Sequence, residues 1–170
     1  RFAGGNEPQH VVPSYDLSTL YVTADRPGAG SLTPVNPVTG IPGRRLLIDD
    51  AYNMYFTPNG RYAIVVQESY TSLAFYNPHT WTLSDTLKSP SCPGIDHMDF
   101  TADGTKLLAS CEFADRMVVL DVATHKLLHT VQPHQARHGP PPDVTLPPDA
   151  PVTNLPATHR TRPPHLRPHH

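Results

Sequence analysis

The chain has 170 residues, a formal net charge of −2 and 38% hydrophobic residues. This nearly neutral charge gives no basis for a nucleic-acid or anionic-membrane surface, and no apolar run approaches the ~20 residues that span a bilayer. The sequence shows no signal peptide, and its start at Arg1 leads us to expect that a leader or earlier repeats are missing.

Four short strands are predicted in residues 9–50. Runs of β-branched and aromatic residues place them at 10–12, 19–23, 31–35 and 44–48. The tripeptide that begins at Ser14 separates the first two strands, and Asn36 opens a later corner.

The next stretch, residues 51–94, repeats this order. We predict strands at 53–56, 62–67, 72–76 and 81–87. The turn Pro58-Asn59-Gly60 tolerates positive φ and so allows a tight reversal. The strand at 62–67 is a continuous apolar run, which is typical of a strand covered on both faces.

Residues 95–132 follow the same plan, with strands predicted at 98–100, 106–110, 117–121 and 126–131. A helix over 123–129 is the rival interpretation. Prolines at 78, 90 and 93 and the enrichment in β-branched residues argue against helices in this part of the chain.

These three stretches form an internal repeat. Ala102-Asp103-Gly104 lies 44 residues after Pro58-Asn59-Gly60, and the corner residues Asn36, Asn77 and Asp121 are 41 and 44 residues apart. A repeat of this length, built from short apolar runs and turns, is typical of β-propeller blades. We therefore predict an all-β partial β-propeller of three four-stranded antiparallel blades at about 9–50, 51–94 and 95–132, with the first strand of each blade innermost.

The residues Tyr21-Val-Thr-Ala24, together with the Asx-Gly turns and the Asp-x-x-Thr corner, resemble the YVTN-type β-propeller repeat family. The resemblance covers about residues 9–132. It departs from the family where Ala24 replaces Asn and where the other blades have Ile64-Val-Val-Gln and Leu108-Ala-Ser-Cys. Membership implies a propeller that usually has seven blades, is frequently bacterial and is often exported, hence an extracytoplasmic or secreted location.

Residues 133–170 have a different composition, with 11 of the 21 prolines and six of the 11 histidines. We predict a disordered Pro/His-rich tail, since it has few large aliphatic residues. Pro148-Asp149-Ala150, 46 residues after Ala102-Asp103-Gly104, is compatible with the degenerate start of a fourth blade. Propellers close with about 4–8 blades, and only three are legible here. We therefore expect a truncated copy that self-associates through its open blade faces. The alternatives are a natural fragment, a frame-shifted product, and a protomer that completes a ring with copies of itself.

The candidate site residues cluster around one inner strand. Asp96, His97, Asp99 and Glu112 are candidates to face the central channel, where His97 with Asp96 and Glu112 would form a metal or acid–base cluster. In the alternative that we prefer, His97 and Asp99 satisfy backbone groups at the start of the strand. Asp49 and the next residue, Asp50, are predicted to be a loop pair.

Cys92 and Cys111 form a candidate disulfide. If the hairpin turns between 100 and 106, Cys111 lies opposite position 95, only a few residues from Cys92. The Ser-Cys-Pro-Gly loop could then bring the two Cα atoms within the ~4.4–6.8 Å that a disulfide needs. Nucleophilic cysteine chemistry is disfavoured, since no positioned histidine is evident.

The sequence contains no Gly-rich phosphate loop, nucleophile elbow or paired-histidine zinc motif. We therefore predict no cofactor and no metal site, since the histidines of the tail would bind metals only opportunistically. The predicted function is a non-enzymatic scaffold that binds an unknown protein or small ligand. The alternative is a propeller enzyme or redox domain, lactone hydrolase-like or haem-binding, that uses Asp96, His97 and Glu112.

Overall fold

A computed structural model describes residues 4–132 of the chain. This part contains strands and one short 3-10 turn, Glu112–Ala114, and no α-helix. The strands are β1 Pro8–Pro13, β2 Leu20–Ala24, β3 Ser31–Val35, β4 Asn53–Phe56, β5 Ala63–Gln67, β6 Ser72–Tyr76, β7 Leu83–Lys88, β8 Ile95–Phe100, β9 Lys106–Cys111, β10 Arg116–Asp121 and β11 Lys126–Val131. No helix in the described part is long and apolar enough to cross a membrane.

The strands form three antiparallel sheets, each in simple sequence order. Blade one contains β1–β3, blade two contains β4–β7, and blade three contains β8–β11. Strand β4 contacts both β1 and β8, so the first strands of the blades lie side by side. The all-β fold predicted from the repeat is confirmed, and the predicted Pro/His-rich tail and fourth-blade start lie outside the described residues.

Blade one departs from the prediction, because the fourth strand expected at 44–48 does not form. Two isolated bridges replace it, Leu32 with Leu46 and Val35 with Pro42. Leu32 exchanges both backbone hydrogen bonds with Leu46, at 2.9 and 2.8 Å. Two residues further along the same edge, Pro34 has no N–H with which to continue the ladder. The sequence prediction was wrong here because it weighed only the apolar run and not this missing donor.

The turn between the first two strands is the same in every blade. A hydroxyl donates to an Asx side chain two residues later in Ser14–Asp16, Thr57–Asn59 and Thr101–Asp103, at 2.7, 2.8 and 2.6 Å. The same hydroxyl oxygen accepts a hydrogen bond from the backbone N–H five residues after it. These turns set the hairpin register and explain why the tripeptide repeat marks the blades.

The turns also stack from blade to blade. Gly60 has φ +67, and a Cβ there would lie 2.8 Å from the ring of Tyr15 in blade one. Tyr15 also donates its hydroxyl to the carbonyl of Pro58, at 3.1 Å. The glycine of this turn is therefore required by both its positive φ and the approach of the neighbouring blade.

Two buried clusters hold the blades together. We call the face of a blade that packs on the following blade its forward face, and the opposite face its rear face. In the first cluster the forward face of blade one packs on the rear face of blade two, with Tyr21 and Leu32 against Met54, Ala63, Val65 and Ala74. In the second, the forward face of blade two packs on the rear face of blade three, with Ile64, Val66, Leu73 and Phe75 against Leu107, Ala109, Val118 and Leu120.

The corner between the third and fourth strands adds a ring contact across each of these boundaries. A residue with positive φ follows the Asx-x-x-Thr corner in each blade: Gly40, Trp81 and His125, with φ 70, 56 and 54. Trp81 packs edge-on against Tyr21 of blade one, with ring centroids 5.1 Å apart. His125 stacks on Phe75 of blade two at 3.8 Å. Each later blade therefore reaches back onto the blade before it.

Candidate functional site

The inner strands bring together three rings, one from each blade. His10 lies on β1, Tyr52 immediately precedes β4, and His97 lies on β8. The ring centroids of His10 and Tyr52 are 5.1 Å apart, those of His10 and His97 5.5 Å, and those of Tyr52 and His97 6.0 Å. We call these three residues the inner ring cluster.

A hydrogen bond to the backbone of Tyr52 fixes the orientation of the His10 ring. The backbone carbonyl of Tyr52 accepts from Nδ1 of His10 at 2.9 Å and from Oγ1 of Thr23 at 2.8 Å. Because a carbonyl only accepts, Nδ1 of His10 carries a proton, and Nε2 holds the lone pair of the neutral ring. This arrangement ties the edge of blade one to the first residue of blade two.

The third ring faces blade two. Nδ1 of His97 lies 3.4 Å from Nδ2 of Asn53 and 3.5 Å from the hydroxyl of Tyr55. Nδ2 of Asn53 also donates to that hydroxyl, at 3.0 Å. The sequence singled out His97 but missed its neighbours His10 and Tyr52, since their approach depends on inner strands from separate blades.

Carboxylates act on Tyr52, the central ring of this cluster. Asp25, Glu68 and Glu112 each follow directly after the second strand of a blade, at steps of 43 and 44 residues. The pKa of the Tyr52 hydroxyl is raised, first by burial and then by the charges of Glu68, Asp96, Glu112 and Asp25.

The negative charges of these carboxylates also repel one another. The pKa of Glu68 is raised by burial and then by the charges of Glu112, Asp96 and Asp25. Oδ1 of Asp25 is buried without a hydrogen-bond partner among the described residues. The sequence analysis identified Glu112 but missed Asp25 and Glu68, although their recurrence at the blade period was a readable signal.

The predicted partners of His97 mainly serve the backbone. Asp96 is buried, and its Oδ1 accepts from the Ser110 hydroxyl and from the N–H of His97, both at 2.5 Å. Oδ1 of Asp99 accepts from the N–H of Phe100 at 2.7 Å. Within residues 4–132, no three His, Cys, Asp or Glu side chains are arranged to hold a metal ion.

The pair Asp49–Asp50 fastens the linker between blades one and two. Asp49 accepts from the N–H of Gly28 at 2.5 Å and from the hydroxyl of Tyr70 at 2.6 Å, and this last bond is the main reason its pKa is lowered. Asp50 is fully buried and accepts from the N–H of Tyr70 at 3.0 Å. Burial raises the pKa of Asp50. Both carboxyls therefore hold a loop in place.

Cys92 and Cys111 are joined by a disulfide in the structure. Their Cα atoms are 4.9 Å apart, and both residues are buried. Cys111 pairs with Ile95 across the β8–β9 hairpin, at the position where the sequence register placed it. The bond links the loop before β8 to the end of β9, next to Glu112.

The forward face of blade three has no blade in front of it among the described residues. An open groove there is lined by the apolar side chains of Leu108 and Met117 together with His97, Asp99 and Ser110, from β8, β9 and β10. Met98 and Phe100 also border the groove, but they pack in the buried boundary with blade two.

No model of a known protein family matches the sequence, and no curated protein matches it significantly. Solved structures do match. Hydrazine synthase of Kuenenia stuttgartiensis is 17% identical, with a TM-score of 0.64, over 79% of this chain and 38% of that chain. The β-propeller domain of Cps50 (Swd1) from Myceliophteria thermophila is 14% identical, with a TM-score of 0.60, over 74% and 41%.

A chain of the nidogen/laminin complex is 13% identical, with a TM-score of 0.61, over 75% of this chain and 48% of that chain. The present chain thus spans about two fifths to one half of the length of these proteins. At such identities the likeness concerns the fold alone. It shows that this chain has the fold of consecutive β-propeller blades.

Proposed function

We propose that this chain is a non-enzymatic β-propeller repeat scaffold that binds a protein partner at the central end of its inner strands. One observation carries the proposal: every blade contributes a ring and a carboxylate to that end. The rings are His10, Tyr52 and His97, and the carboxylates are Asp25, Glu68 and Glu112.

The chemistry of this surface favours a cationic partner. The ring face of Tyr52 attracts Lys and Arg through its quadrupole, and a group of carboxylates steers and orients a segment of opposite charge. The charges that act on Tyr52 are all negative. We therefore propose a Lys/Arg-rich protein segment as the ligand.

The hydrogen bonds of the predicted acid–base residues favour a scaffold over an enzyme. Asp96 and Asp99 each accept a hydrogen bond from the N–H of the next residue. Propellers host many functions on one fold. A binding role is in keeping with the matched chain of the nidogen/laminin complex and with the resemblance to YVTN-type repeats, the family to which we propose that the chain belongs.

An extracytoplasmic location forms part of the proposal. The bond between Cys92 and Cys111 supports it, since disulfides persist mainly in oxidising compartments. The oxidation state of this pair in protein taken directly from cells tests the location, and a reduced pair would contradict it.

A calorimetric titration with a short Lys/Arg-rich peptide tests the binding proposal. We expect binding that weakens as salt is raised. Glu68→Gln combined with Glu112→Gln should lower the affinity roughly tenfold, about 1.4 kcal/mol. Tyr52→Ala should lower it as well, because the central ring is lost.

Asp99→Asn is the matched control. It removes the same kind of charge from blade three, but Asp99 is not among the carboxylates that act on Tyr52. We expect it to bind the peptide as the unmodified chain does. An equal loss in this control, or binding that ignores salt and the Glu68/Glu112 change, would contradict the proposed site.

A further inference from the structure

A cavity lies between blades one and two, at the end of the blades where their first turns stack. Its volume is about 310 Å³, and three aromatic side chains line it together with one carboxylate: Tyr15, Tyr21, Phe56 and Asp16. We call these four residues the turn-end cage. Asp16 precedes β2 and Asp25 follows it, so the cage lies at the opposite end of this strand from the site proposed above.

Contacts across the blade boundary hold the rings of the cage in place. The ring centroids of Tyr21 and Phe56 are 6.5 Å apart, with an interplanar angle of 46°. Tyr21 packs edge-on against Trp81 at 5.1 Å. The hydroxyl of Tyr15 donates to the carbonyl of Pro58 at 3.1 Å. The rings are thus positioned before any ligand arrives.

Asp16 gives the cage a negative charge. Its Oδ1 accepts from the hydroxyl of Ser14 at 2.7 Å and from the N–H and hydroxyl of Ser18 at 3.1 and 2.8 Å. All three donors are neutral, so they stabilise the charge without cancelling it. This charge reaches the cage, since the pKa of Tyr21 is raised by burial and also by Asp16.

The next blade boundary has an equivalent cavity, of about 370 Å³. Gly104 approaches Pro58 there as Gly60 approaches Tyr15 at the first boundary. The half of the cage that blade one supplies is replaced 43 residues later by side chains without a ring or a charge, namely Pro58, Asn59 and Ile64 in place of Tyr15, Asp16 and Tyr21. Blade packing therefore does not itself require the two tyrosines and the carboxylate.

The second cavity also contains a cation of the protein itself. Arg61 lines it, with the guanidinium 5.2 Å from the ring centroid of Tyr62. Blade one has Ser18 at the position of Arg61, 43 residues earlier. Of the described residues that line the first cavity, none is lysine or arginine. The first cavity is therefore complementary to a cation from outside the chain.

The chemistry of the cage selects among cations. Ring faces attract a cation within about 6 Å of their centroids, and groups of rings recognise quaternary ammonium ions. Such an ion has no N–H and needs no acceptor, which suits a carboxylate whose Oδ1 already accepts three bonds. A primary ammonium is strongly hydrated and would lose more water on entry. The volume is near the lower end for pockets that take small molecules.

We propose that the turn-end cage binds a small quaternary ammonium compound, with its trimethylammonium group between the rings of Tyr15, Tyr21 and Phe56. The proposal does not depend on the Lys/Arg-rich ligand of the inner strands, and failure of either leaves the other standing.

A titration with choline chloride tests the cage. Trp81 is the one tryptophan of the chain and packs on Tyr21, so its fluorescence reports on this cavity. Sodium chloride is exchanged for choline chloride at constant ionic strength. The titration is done at pH 8, where ordinary histidines are neutral, because His79 also lines the cavity. We expect a saturable change, repeated in the line width of the choline methyl signal by NMR.

Two other compounds separate charge from shape. The alcohol 3,3-dimethylbutan-1-ol has the shape of choline without its charge, and it should bind roughly tenfold more weakly. Ethanolamine has the charge without the methyl groups, and it should also bind more weakly than choline.

Variants that copy blade two locate the site. Tyr21→Ile should lower the affinity for choline roughly tenfold and Asp16→Asn roughly threefold. Asp103→Asn is the matched control, since it makes the same change at the same turn position of blade three and should leave choline binding unchanged. Far-UV circular dichroism confirms that each variant is folded. Glu68→Gln with Glu112→Gln should also leave choline binding unchanged, which separates this site from the inner strands.

Three results would overturn the proposal. The first is the absence of saturable choline binding, or equal binding of choline and its neutral analogue. The second is a loss in Asp103→Asn as large as that in Asp16→Asn. The third is a peptide with one trimethyllysine that binds at least tenfold more tightly than choline, which would show that the cage reads a modified protein and not a small molecule.

Discussion

A single side-chain oxygen organises the first turn of every blade. Oδ1 of Asp103 accepts from the hydroxyl of Thr101 and from the N–H of Thr105, at 2.6 and 3.0 Å. These bonds lower the pKa of Asp103 to about 2, and bonds from Ser14 and Ser18 do the same for Asp16. Blade two has Asn59 at this position, which accepts the same bonds without titrating.

Acid should therefore loosen blades one and three through their turns. The folded-state pKa of Asp16 and Asp103 lies below the ordinary value of 3.8, so the stability that they contribute is present above that pH and is lost as the pH falls toward 2. Urea unfolding midpoints measured between pH 5 and pH 2 should decline over this window.

The double variant Asp16→Asn with Asp103→Asn is the natural comparison, because asparagine already occupies this turn position in blade two. Its unfolding midpoint should depend less on pH over the same window. If the variant and the unmodified chain decline in parallel, these two turns are not the source of the acid sensitivity.

At the scale of single elements, the disulfide restrains the β8–β9 hairpin that carries Asp96, His97 and Glu112. It closes a loop between residues separated by 19 positions, and cross-links of that length stabilise by about 3 kcal/mol in the chain-entropy account. Cys92→Ala combined with Cys111→Ala should lower the free energy of unfolding by roughly this amount.

Chemical denaturation with and without a reducing agent measures this effect. The reductant should destabilise the unmodified chain and leave the double variant unchanged. A reductant effect of the same size in both proteins would show that the disulfide is not responsible.

The sequence predicts the strands well where turn chemistry marks their ends. The predicted bounds at 31–35, 53–56, 72–76 and 126–131 coincide with strands in the structure, because Asx corners and Asx-Gly turns flank them. Local signals do not reveal which side chains of separate blades converge. His10 and Tyr52 lie 42 residues apart and meet only when β1 and β4 lie side by side.

At the scale of the molecule, the three blades differ in how completely they are covered. Val65 and Val66 on β5 of blade two face opposite neighbours, and both are fully buried. Leu108 and Met117 of blade three remain partly exposed. Because the covered backbone opens least readily, we expect a gradient of local stability from the middle blade outward.

Hydrogen exchange on the chain should show this gradient. The amides of β5 and β6 should exchange most slowly, and those of β1, β2, β10 and β11 faster. Equal protection in all three blades would mean that the outer blades are covered as fully as the middle one.

The missing donor at Pro34 has a consequence for the outer edge of blade one. An edge strand with free N–H and C=O groups is a template for adding a foreign strand, and proline is one of the devices that blunt such edges. Leu46 already bonds both backbone groups of Leu32 on that side, and Pro34 offers the next site no N–H at all. Blade one thereby resists the addition of a foreign strand at this edge.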